Sequence, residues 1–128
     1  MTLHVALVVP DRELWSGQAS TVIAKTSEGD IGVLTGHSPV FGVLTEGSVA
    51  EIVTDETRVR AAVSGGFLSV ADDRVSILAA QAELAGEINV EQTRQELAAA
   101  LAEATPGADD SPAVRYARAR LRAAGSQD

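Results

Sequence analysis

The amino-acid sequence predicts a β-sandwich N-terminal domain followed by a C-terminal antiparallel α-helical hairpin. Short apolar segments rich in Val and Ile fill roughly the first eighty residues, and glycine, aspartate and proline separate them. This pattern is typical of all-β sandwiches and barrels. From Ile88 onwards Ala, Leu, Glu and Gln predominate, and these are mostly good helix formers. No helix-length segment lies between the strands, which argues against a parallel sheet with crossover helices.

Eight segments of the first domain, assigned to residues 1–86, have the composition of strands. Residues 58–63 alternate most clearly between apolar and other side chains, as a half-buried strand does. Pro10-Asp11 is predicted to end the first strand, and Gly65-Gly66 and Asp72-Asp73 are predicted turns. The predicted strands are residues 3–9, 21–25, 31–34, 40–44, 49–53, 58–63, 67–70 and 75–78.

Residues 87–128 are predicted to form the hairpin. Asn89 is the predicted N-cap of the first helix, with Gln92 at the capping-box position, and Pro106-Gly107 is predicted to end it. Ser111-Pro112 has the signature of a second helix start, and Gly125 that of its end. The short connecting loop favours an antiparallel pair. The predicted apolar stripes are Val90, Leu97, Leu101 and Ala104, with Arg94 on the same face, and Val114, Ala117 and Leu121.

The hairpin is weakly apolar and strongly basic at its end. Its stripes are mostly alanine, which yields far less on burial than the roughly 1.5–3 kcal/mol of a Leu or Val side chain. We therefore expect the hairpin to dock loosely and to be a candidate moving part, the alternative being a static hairpin held by its arginines. Arg115, Arg118, Arg120 and Arg122 stand in a chain of net charge −8. This cluster indicates either a separate electrostatic partner or a helix lying on the acidic body.

Composition also bears on which partners the chain can have. The net charge of −8 argues against nucleic acid, which rewards a basic surface. The absence of cysteine excludes disulfides and thiolate metal sites. No stretch approaches the roughly 20 apolar residues of a membrane-spanning helix, and the N-terminus lacks the basic region of a signal peptide. Contact with a membrane is therefore expected to run through another protein.

The sequence predicts no catalytic residue, metal site or cofactor. His4 and His37 are the only imidazoles, and a zinc site needs three or four suitable ligands. Glycines at 29, 32 and 36 are not followed by the Gly-Lys-Ser/Thr of a phosphate-binding loop. The acidic pairs at 72–73 and 109–110 occur where aspartate is usual in turns.

Three functions remain open on these grounds: a subunit that binds other proteins, a stand-alone small-ligand-binding β-domain, and a small enzyme. A ligand pocket would need converging large apolar side chains, whereas the four aromatic residues are spread along the chain. An enzyme would need a catalytic cluster that the sequence lacks. A binding subunit needs contact surfaces alone.

Two strings resemble the epsilon subunit of bacterial F-type ATP synthases. The first is SEGDIGVLTGHSP at residues 27–39, and the second is SGGFLSV at 64–70, followed by DDRVSIL at 72–78. The resemblance covers the whole chain in order, with a β-domain of about 85 residues before a hairpin of about 40. The ending RARLRA at 118–123 resembles that of actinobacterial members.

The resemblance implies a non-catalytic rotor subunit. In the family, the sandwich binds the gamma subunit and sits against the ring of c subunits, and the catalytic sites are on the beta subunits. It implies that Asp30 and His37, matching the loop at the c-ring end of the sandwich, are interface residues. It also implies a place on the cytoplasmic face of the cell membrane, reached only through the complex. The hairpin either lies folded on the sandwich or extends along gamma and inhibits ATP hydrolysis, its arginines then meeting acidic surfaces of alpha and beta.

ATP is a candidate regulatory ligand through the same resemblance. Some family members bind ATP on the folded hairpin through the pattern Ile/Leu-Asp-x-x-Arg-Ala. The nearest string here, VEQTRQ at 90–95, has glutamate for aspartate and glutamine for alanine, which would disturb a tight adenine pocket. Glu91, Arg94, Arg118 and Arg122 are the residues that would bind the nucleotide, and ATP binding is left open.

Overall fold

The computed structural model describes residues 2–103 and 111–125, and there it contains ten strands, a 3-10 turn and two helices. The strands are β1 (Leu3–Val9), β2 (Arg12–Ala19), β3 (Thr21–Thr26), β4 (Gly29–Leu34), β5 (Val40–Leu44), β6 (Ser48–Val53), β7 (Arg58–Val63), β8 (Gly66–Ala71), β9 (Arg74–Ala79) and β10 (Ala82–Leu84). The 3-10 turn (Ala85–Glu87) leads to α1 (Val90–Glu103) and α2 (Pro112–Ala123). The predicted class, a β-sandwich followed by a helical hairpin, is confirmed.

The sheet folds over on itself into two layers. Its strand order is β10-β7-β6-β3-β5-β8-β9-β1-β2, with β4 paired to β3 outside this path. Strands β3 and β5 share a single register pair, Thr26 with Leu44, so the path turns from one layer to the other here. All pairs are antiparallel except β1 with β9.

The core lies between the two layers. Strands from both ends of the path supply one cluster, because each places alternate side chains inward. Its largest fully buried members are Leu3 and Leu7 of β1, Ile52 of β6, Leu68 of β8 and Ile77 of β9. Full burial of each such side chain contributes roughly 1.5–3 kcal/mol, so the sandwich has the material for a stable core of its own.

Two of the ten strands, β2 and β10, were not predicted. Strand β2 is an edge strand with most of its residues exposed and Ala19 alone buried, so it carries no inward apolar alternation. Its register against β1 shifts between Leu7 and Val8, as it does at a β-bulge. Strand β10 has three residues, too few to show a period.

Both helices begin with the predicted caps. The Asn89 side chain accepts a hydrogen bond from the backbone N–H of Gln92 (2.9 Å), and the Ser111 hydroxyl accepts one from Val114 (3.4 Å). Gly125, at φ +86°, ends α2 in the left-handed conformation that favours glycine. Leu97 packs with Val114, Ala117 and Leu121 as the stripes predicted. The predicted helix end at Pro106-Gly107, together with Ala104 and Asp109-Asp110, lies outside the described residues.

Helix α2 lies directly on the outer face of β7. Ala61 and Val63 of this strand point into the sandwich core, whereas Ala62 packs with Ala119 and Ala123 of α2. Strand β7 is thus buried on both faces, and the helix contact is made mostly of methyl groups. The polar contacts at the edges of this α2–β7 contact therefore determine how tightly the hairpin is held.

Candidate interaction surfaces

An exposed apolar strip crosses strands β5, β8 and β9 on the outside of the sandwich. It consists of Phe41, Val43, Phe67 and Leu78, whose side chains are 66%, 49%, 45% and 44% exposed. Val43 lies opposite Phe67, and Phe67 lies opposite Leu78, so the side chains are cross-strand neighbours. The rings of Phe41 and Phe67 stack with centroids 5.3 Å apart. Contiguous exposed apolar groups of this kind mark sites of contact with other proteins.

A shallow apolar groove of about 390 Å³ continues the strip, lined by residues that include Val8, Pro10, Phe67 and Leu78. Gly66 forms part of its floor and has φ +143°. A Cβ atom at this position would lie 1.9 Å from the carbonyl oxygen of Leu78. The second glycine of the Gly-Gly string therefore allows β8 to lie close to β9, beyond the turn role predicted for it.

Strand β4 and the loop that follows it, residues 35–39, form a second exposed region. Among the described residues, strand β4 pairs only with β3, so its other edge has backbone groups without a strand partner there. Leu34 at the end of β4 is 59% exposed. An unpaired edge of this kind is available to a partner.

The two predicted interface residues do not share one loop. Asp30 belongs to β4, opposite Lys25, while His37 follows the other end of the strand. About 13 Å of extended chain separates Asp30 from Leu34, at about 3.3 Å per residue. The placement of both in a single loop was wrong, because the segment between them pairs as a strand. Their role as interface residues stays a prediction.

The loop after β4 is ordered by hydrogen bonds of its own and from the sandwich. The His37 backbone N–H donates to Leu34 (3.1 Å), and its ring Nδ1 lies 2.7 Å from the Ser38 carbonyl oxygen. The Gly36 N–H donates to the Asp73 side chain at 2.7 Å. The sequence assigned Asp73 only a turn, because a contact across 37 positions leaves no local pattern.

Arg120 joins the hairpin to the sandwich. Its Nε lies 2.6 Å from Glu83 Oε1 of β10, and its Nη1 donates to Glu96 of α1. Its Nε–H has no hydrogen-bond partner among the described residues, so the contact with Glu83 is an ion pair without hydrogen-bond alignment. The Arg120 side chain is 13% exposed, and its Cζ lies 5.4 Å from the ring centroid of Tyr116.

This cluster raises the pKa of both Tyr116 and Arg120. Burial raises the pKa of Tyr116 to about 12, with a further rise from Glu83. Burial opposes the charge on Arg120, but the hydrogen bond to Glu96 and the charge of Glu83 outweigh it and raise the pKa of the guanidinium. A neutral phenol and a charged guanidinium are therefore the stable forms at neutral pH.

Two further arginines contact the body at the opposite margin of α2. Arg122 Nη2 donates to the carbonyl oxygen of Gly47 (3.0 Å), and Arg115 lies 3.5 Å from Glu46 in an exposed ion pair. Gly47, at φ +65°, has no room for a side chain, because a Cβ would lie 2.5 Å from the Arg115 backbone. These contacts favour the interpretation of an arginine-rich helix lying on the acidic body.

The four predicted nucleotide ligands lie on different helices, Glu91 and Arg94 on α1 and Arg118 and Arg122 on α2. Arg122 lines a cavity of about 330 Å³ together with sandwich residues such as Lys25, and its lining includes none of Glu91, Arg94 and Arg118. Glu91 and Arg94 are exposed near the start of α1. ATP binding by these residues stays a prediction.

Within residues 2–103 and 111–125, no three His, Asp or Glu side chains are grouped so that they could hold a metal ion. Over the same residues, no helix combines the length and apolar character needed to cross a membrane.

The sandwich is suited to binding other proteins, because it has an apolar outer strip, an edge strand and a docked helical hairpin. Comparison with known proteins shows which ones share this architecture. The family model described as "ATP synthase, Delta/Epsilon chain, beta-sandwich domain" matches residues 2–85. The ATP synthase epsilon chain of Streptomyces coelicolor is 50% identical over 95% of this chain and 94% of that protein. That of Thermobifida fusca is 51% identical over 98% of this chain and 94% of its own length. The chain belongs to the family of ATP synthase epsilon chains.

Solved structures show the same fold at lower identity. A chain of the Euglena gracilis mitochondrial ATP synthase (OSCP/F1/c-ring) matches with a TM-score of 0.71 at 24% identity, over 94% of this chain and 75% of that one. A chain of the central stalk and c-ring of the Tetrahymena thermophila enzyme matches with a TM-score of 0.62 at 15% identity, over 99% and 98%.

Family membership decides among the three functions that the sequence left open. It confirms the predicted resemblance, including its actinobacterial character, since both curated relatives above come from actinobacteria. It also confirms an accessory subunit of ATP synthase in place of a separate enzyme or a stand-alone ligand-binding domain.

Sequence reasoning missed the apolar strip, and it did not single out Arg120 from the other arginines of the hairpin. The strip had a signal: Phe67-Leu68 and Ile77-Leu78 are adjacent apolar residues in strands, and adjacent residues point to opposite faces, so both faces are apolar. The role of Arg120 had no signal in the sequence, because its partners Glu96 and Glu83 are 24 and 37 positions away.

Proposed function

We propose that the chain is a central-stalk subunit that couples rotation of the c ring, through gamma, to ATP synthesis on the beta subunits. The exposed apolar strip carries this proposal, because a surface with two stacked and exposed phenylalanines calls for a permanent protein partner. We assign that partner as gamma. The complex in turn holds the chain at the cytoplasmic face of the membrane.

Binding to gamma is tested by truncating the strip. Phe67→Ser removes an exposed ring without opening the core, and a central aromatic contact costs about 2 kcal/mol or more, or roughly 30-fold in affinity. The measurement is binding of the full chain to an alpha–beta–gamma core depleted of its own epsilon subunit, by gel filtration and titration. Leu34→Ser, which removes an even more exposed apolar side chain on β4, is the matched control and is expected to leave this affinity unchanged.

A one-to-one complex that Phe67→Ser weakens and Leu34→Ser spares supports the assignment. Equal affinity of the wild type and Phe67→Ser for the core would show that the strip is not part of the gamma interface. Failure of the wild-type chain to bind the core at micromolar concentration would overturn the rotor assignment itself.

The second exposed region supports contact with the c ring. Strand β4 and the loop 35–39 carry Asp30, Leu34 and His37, and these three residues are exposed or half-buried. Binding of the chain to detergent-solubilised c ring and gamma is the measurement. His37→Ala and Leu34→Ser are expected to weaken c-ring binding while leaving binding to the core intact, and the reverse pattern would contradict the assignment.

The hairpin is proposed to regulate ATP hydrolysis by leaving the folded position. Its contact with β7 is made of small side chains, and Arg120, Arg115 and Arg122 hold its margins. The steady-state ATPase rate of the reconstituted core measures the effect. Arg120→Ala is expected to increase inhibition by freeing the hairpin, and a chain ending at residue 87 is expected to abolish it. Identical rates for all three chains would rule out a regulatory hairpin.

Regulatory ATP binding is a separate proposal, on Glu91, Arg94, Arg118 and Arg122. Calorimetry of the full chain with millimolar ATP tests it, and Arg94→Ala is the variant that removes the one residue matching the family pattern. No heat of binding in the wild type ends the proposal.

A further inference from the structure

We propose that Asp73 is the positioning residue of the loop after β4, and that its carboxylate pre-forms residues 35–39 for contact with the c ring. The inference rests on the proposed function of this loop. It adds that the loop takes its shape from the β8–β9 turn, which is remote in sequence and makes no predicted contact with the ring.

The loop begins as a turn that leaves one N–H group without a partner inside it. The His37 N–H closes the turn on the Leu34 carbonyl (3.1 Å), and Gly36 at the third position has φ +82°. This value matches a type II turn, in which the third residue needs a positive φ. The N–H of that third residue points out of the turn, and here it donates to Asp73 Oδ1 at 2.7 Å. A carboxylate acceptor makes this bond shorter and stronger than a neutral one.

Asp73 is itself held rigidly. Asp72 and Asp73 have φ of 51° and 60°, and their neighbours Ala71 and Arg74 pair directly, as in a two-residue type I′ hairpin turn. The Asp73 carbonyl oxygen also accepts from the His4 N–H (2.8 Å) at the start of β1. Its backbone is therefore fixed by three strands of the sandwich, whereas the loop it holds is exposed.

The backbone of the loop sets the orientation of His37. Its ring Nδ1 lies 2.7 Å from the Ser38 carbonyl oxygen, which can only accept, so the proton is on Nδ1. This bond uses Nδ1, so Nε2 is the ring nitrogen left for a partner. A loop that loses the Asp73 bond would turn this nitrogen away from its direction in the structure.

The test compares two neighbouring glycine substitutions in the full chain. Asp73→Gly removes the carboxylate but keeps a residue that adopts positive φ freely. Asp72→Gly is the matched control in the same turn, since its carboxylate does not bond Gly36. Asp73→Asn keeps an oxygen acceptor. The rate of amide hydrogen exchange at Gly36 reports whether its bond to Asp73 is formed. Titrations against the c ring with gamma, and separately against the alpha–beta–gamma core, measure the two binding affinities.

Asp73→Gly is expected to speed exchange at Gly36 by about tenfold or more, the range for a bond to a charged group. It is also expected to weaken c-ring binding at least several-fold while binding to the core stays unchanged. Asp73→Asn is expected to restore most of both properties, and Asp72→Gly to resemble the wild type. A purely structural role would shift core binding as well, or would affect both glycine variants equally.

Unchanged exchange at Gly36, or faster exchange with unchanged c-ring binding, would overturn the inference. If His37→Ala weakens c-ring binding and Asp73→Gly does not, the inference alone fails. If neither variant changes c-ring binding, the proposed function of the loop fails with it.

Discussion

At the scale of single residues, Arg120 stands out because its guanidinium reaches one carboxylate from each part of the chain. Glu83 belongs to the last strand of the sandwich and Glu96 to α1. A planar guanidinium with several donors can serve two carboxylates at once, which a lysine ammonium on a flexible stem does poorly. The low exposure of the side chain limits screening by water and salt.

Arg120→Ala is therefore expected to lower the free energy of unfolding by about 1–3 kcal/mol, because it removes the charged hydrogen bond to Glu96 and the ion pair with Glu83. Arg115→Ala, which breaks an exposed ion pair with Glu46, is expected to cost at most about 1 kcal/mol. Urea denaturation followed by circular dichroism measures both. Equal costs for the two variants would show that Arg120 acts as an ordinary surface arginine.

Tyr116 predicts a pH dependence at the alkaline end. Burial raises its pKa in the folded chain to about 12 from an ordinary 10.0, so between these values the unfolded chain releases a proton that the folded chain retains. The free energy of unfolding therefore falls as pH rises through this window, and the contribution is complete below pH 10.

Tyr116→Phe removes the ionisation, so the stability of wild type relative to Tyr116→Phe is expected to fall between pH 9 and pH 11.5. Urea denaturation of both chains at the two pH values measures this difference. Parallel pH profiles would contradict the raised pKa.

At the scale of elements, what could be predicted from sequence depended on burial. The eight strands with apolar residues in the sandwich core were recognisable from their composition, and β2 was missed because it is an exposed edge strand. Helix starts were recognisable because a cap acts within three residues, as Asn89 and Ser111 do. The strip around Phe67 had a signal in its adjacent apolar residues that was not used, whereas the bond from Gly36 to Asp73 had none, because it forms only when distant segments meet.

The approach of α2 to the β5–β6 turn gives a test of hairpin docking. Gly47→Ala is expected to push α2 outward, because the new methyl would lie 2.5 Å from the Arg115 backbone. Gly125→Ala is the matched control, since Gly125 also has positive φ but open space around it. Both share the strain of about 1–2 kcal/mol of a left-handed alanine.

Limited trypsin digestion at the arginines of α2 measures the displacement. We expect cleavage in α2 to be about tenfold faster in Gly47→Ala, equivalent to about 1.4 kcal/mol of lost docking, and nearly unchanged in Gly125→Ala. Equal rates in the two variants would show that the close approach does not hold the helix.

At the scale of the whole molecule, the apolar residues fall into separate clusters. The sandwich cluster contains no residue of α1 or α2, and the hairpin has its own small cluster around Leu97 and Leu121. The sandwich therefore carries its own stability, while helices of this length are marginal in water without support.

A chain ending at residue 87 is accordingly expected to fold cooperatively, and a peptide of residues 88–128 to be largely unfolded. Circular dichroism and urea titration of the two pieces measure this. A sandwich piece that unfolds without a cooperative transition would show that the hairpin is part of one indivisible core.

The surface of β7 that α2 covers consists mostly of methyl groups, and this composition has a consequence for solubility. If the helix departs, the surface uncovered around Ala62 consists mostly of small side chains, with Val49, Ala85 and Ile88 at its margin. Such a surface holds few of the large apolar groups that drive self-association. Once uncovered, a surface of this composition would bind other molecules weakly and would stay available to α2. Repeated undocking of the helix would therefore not lead to precipitation.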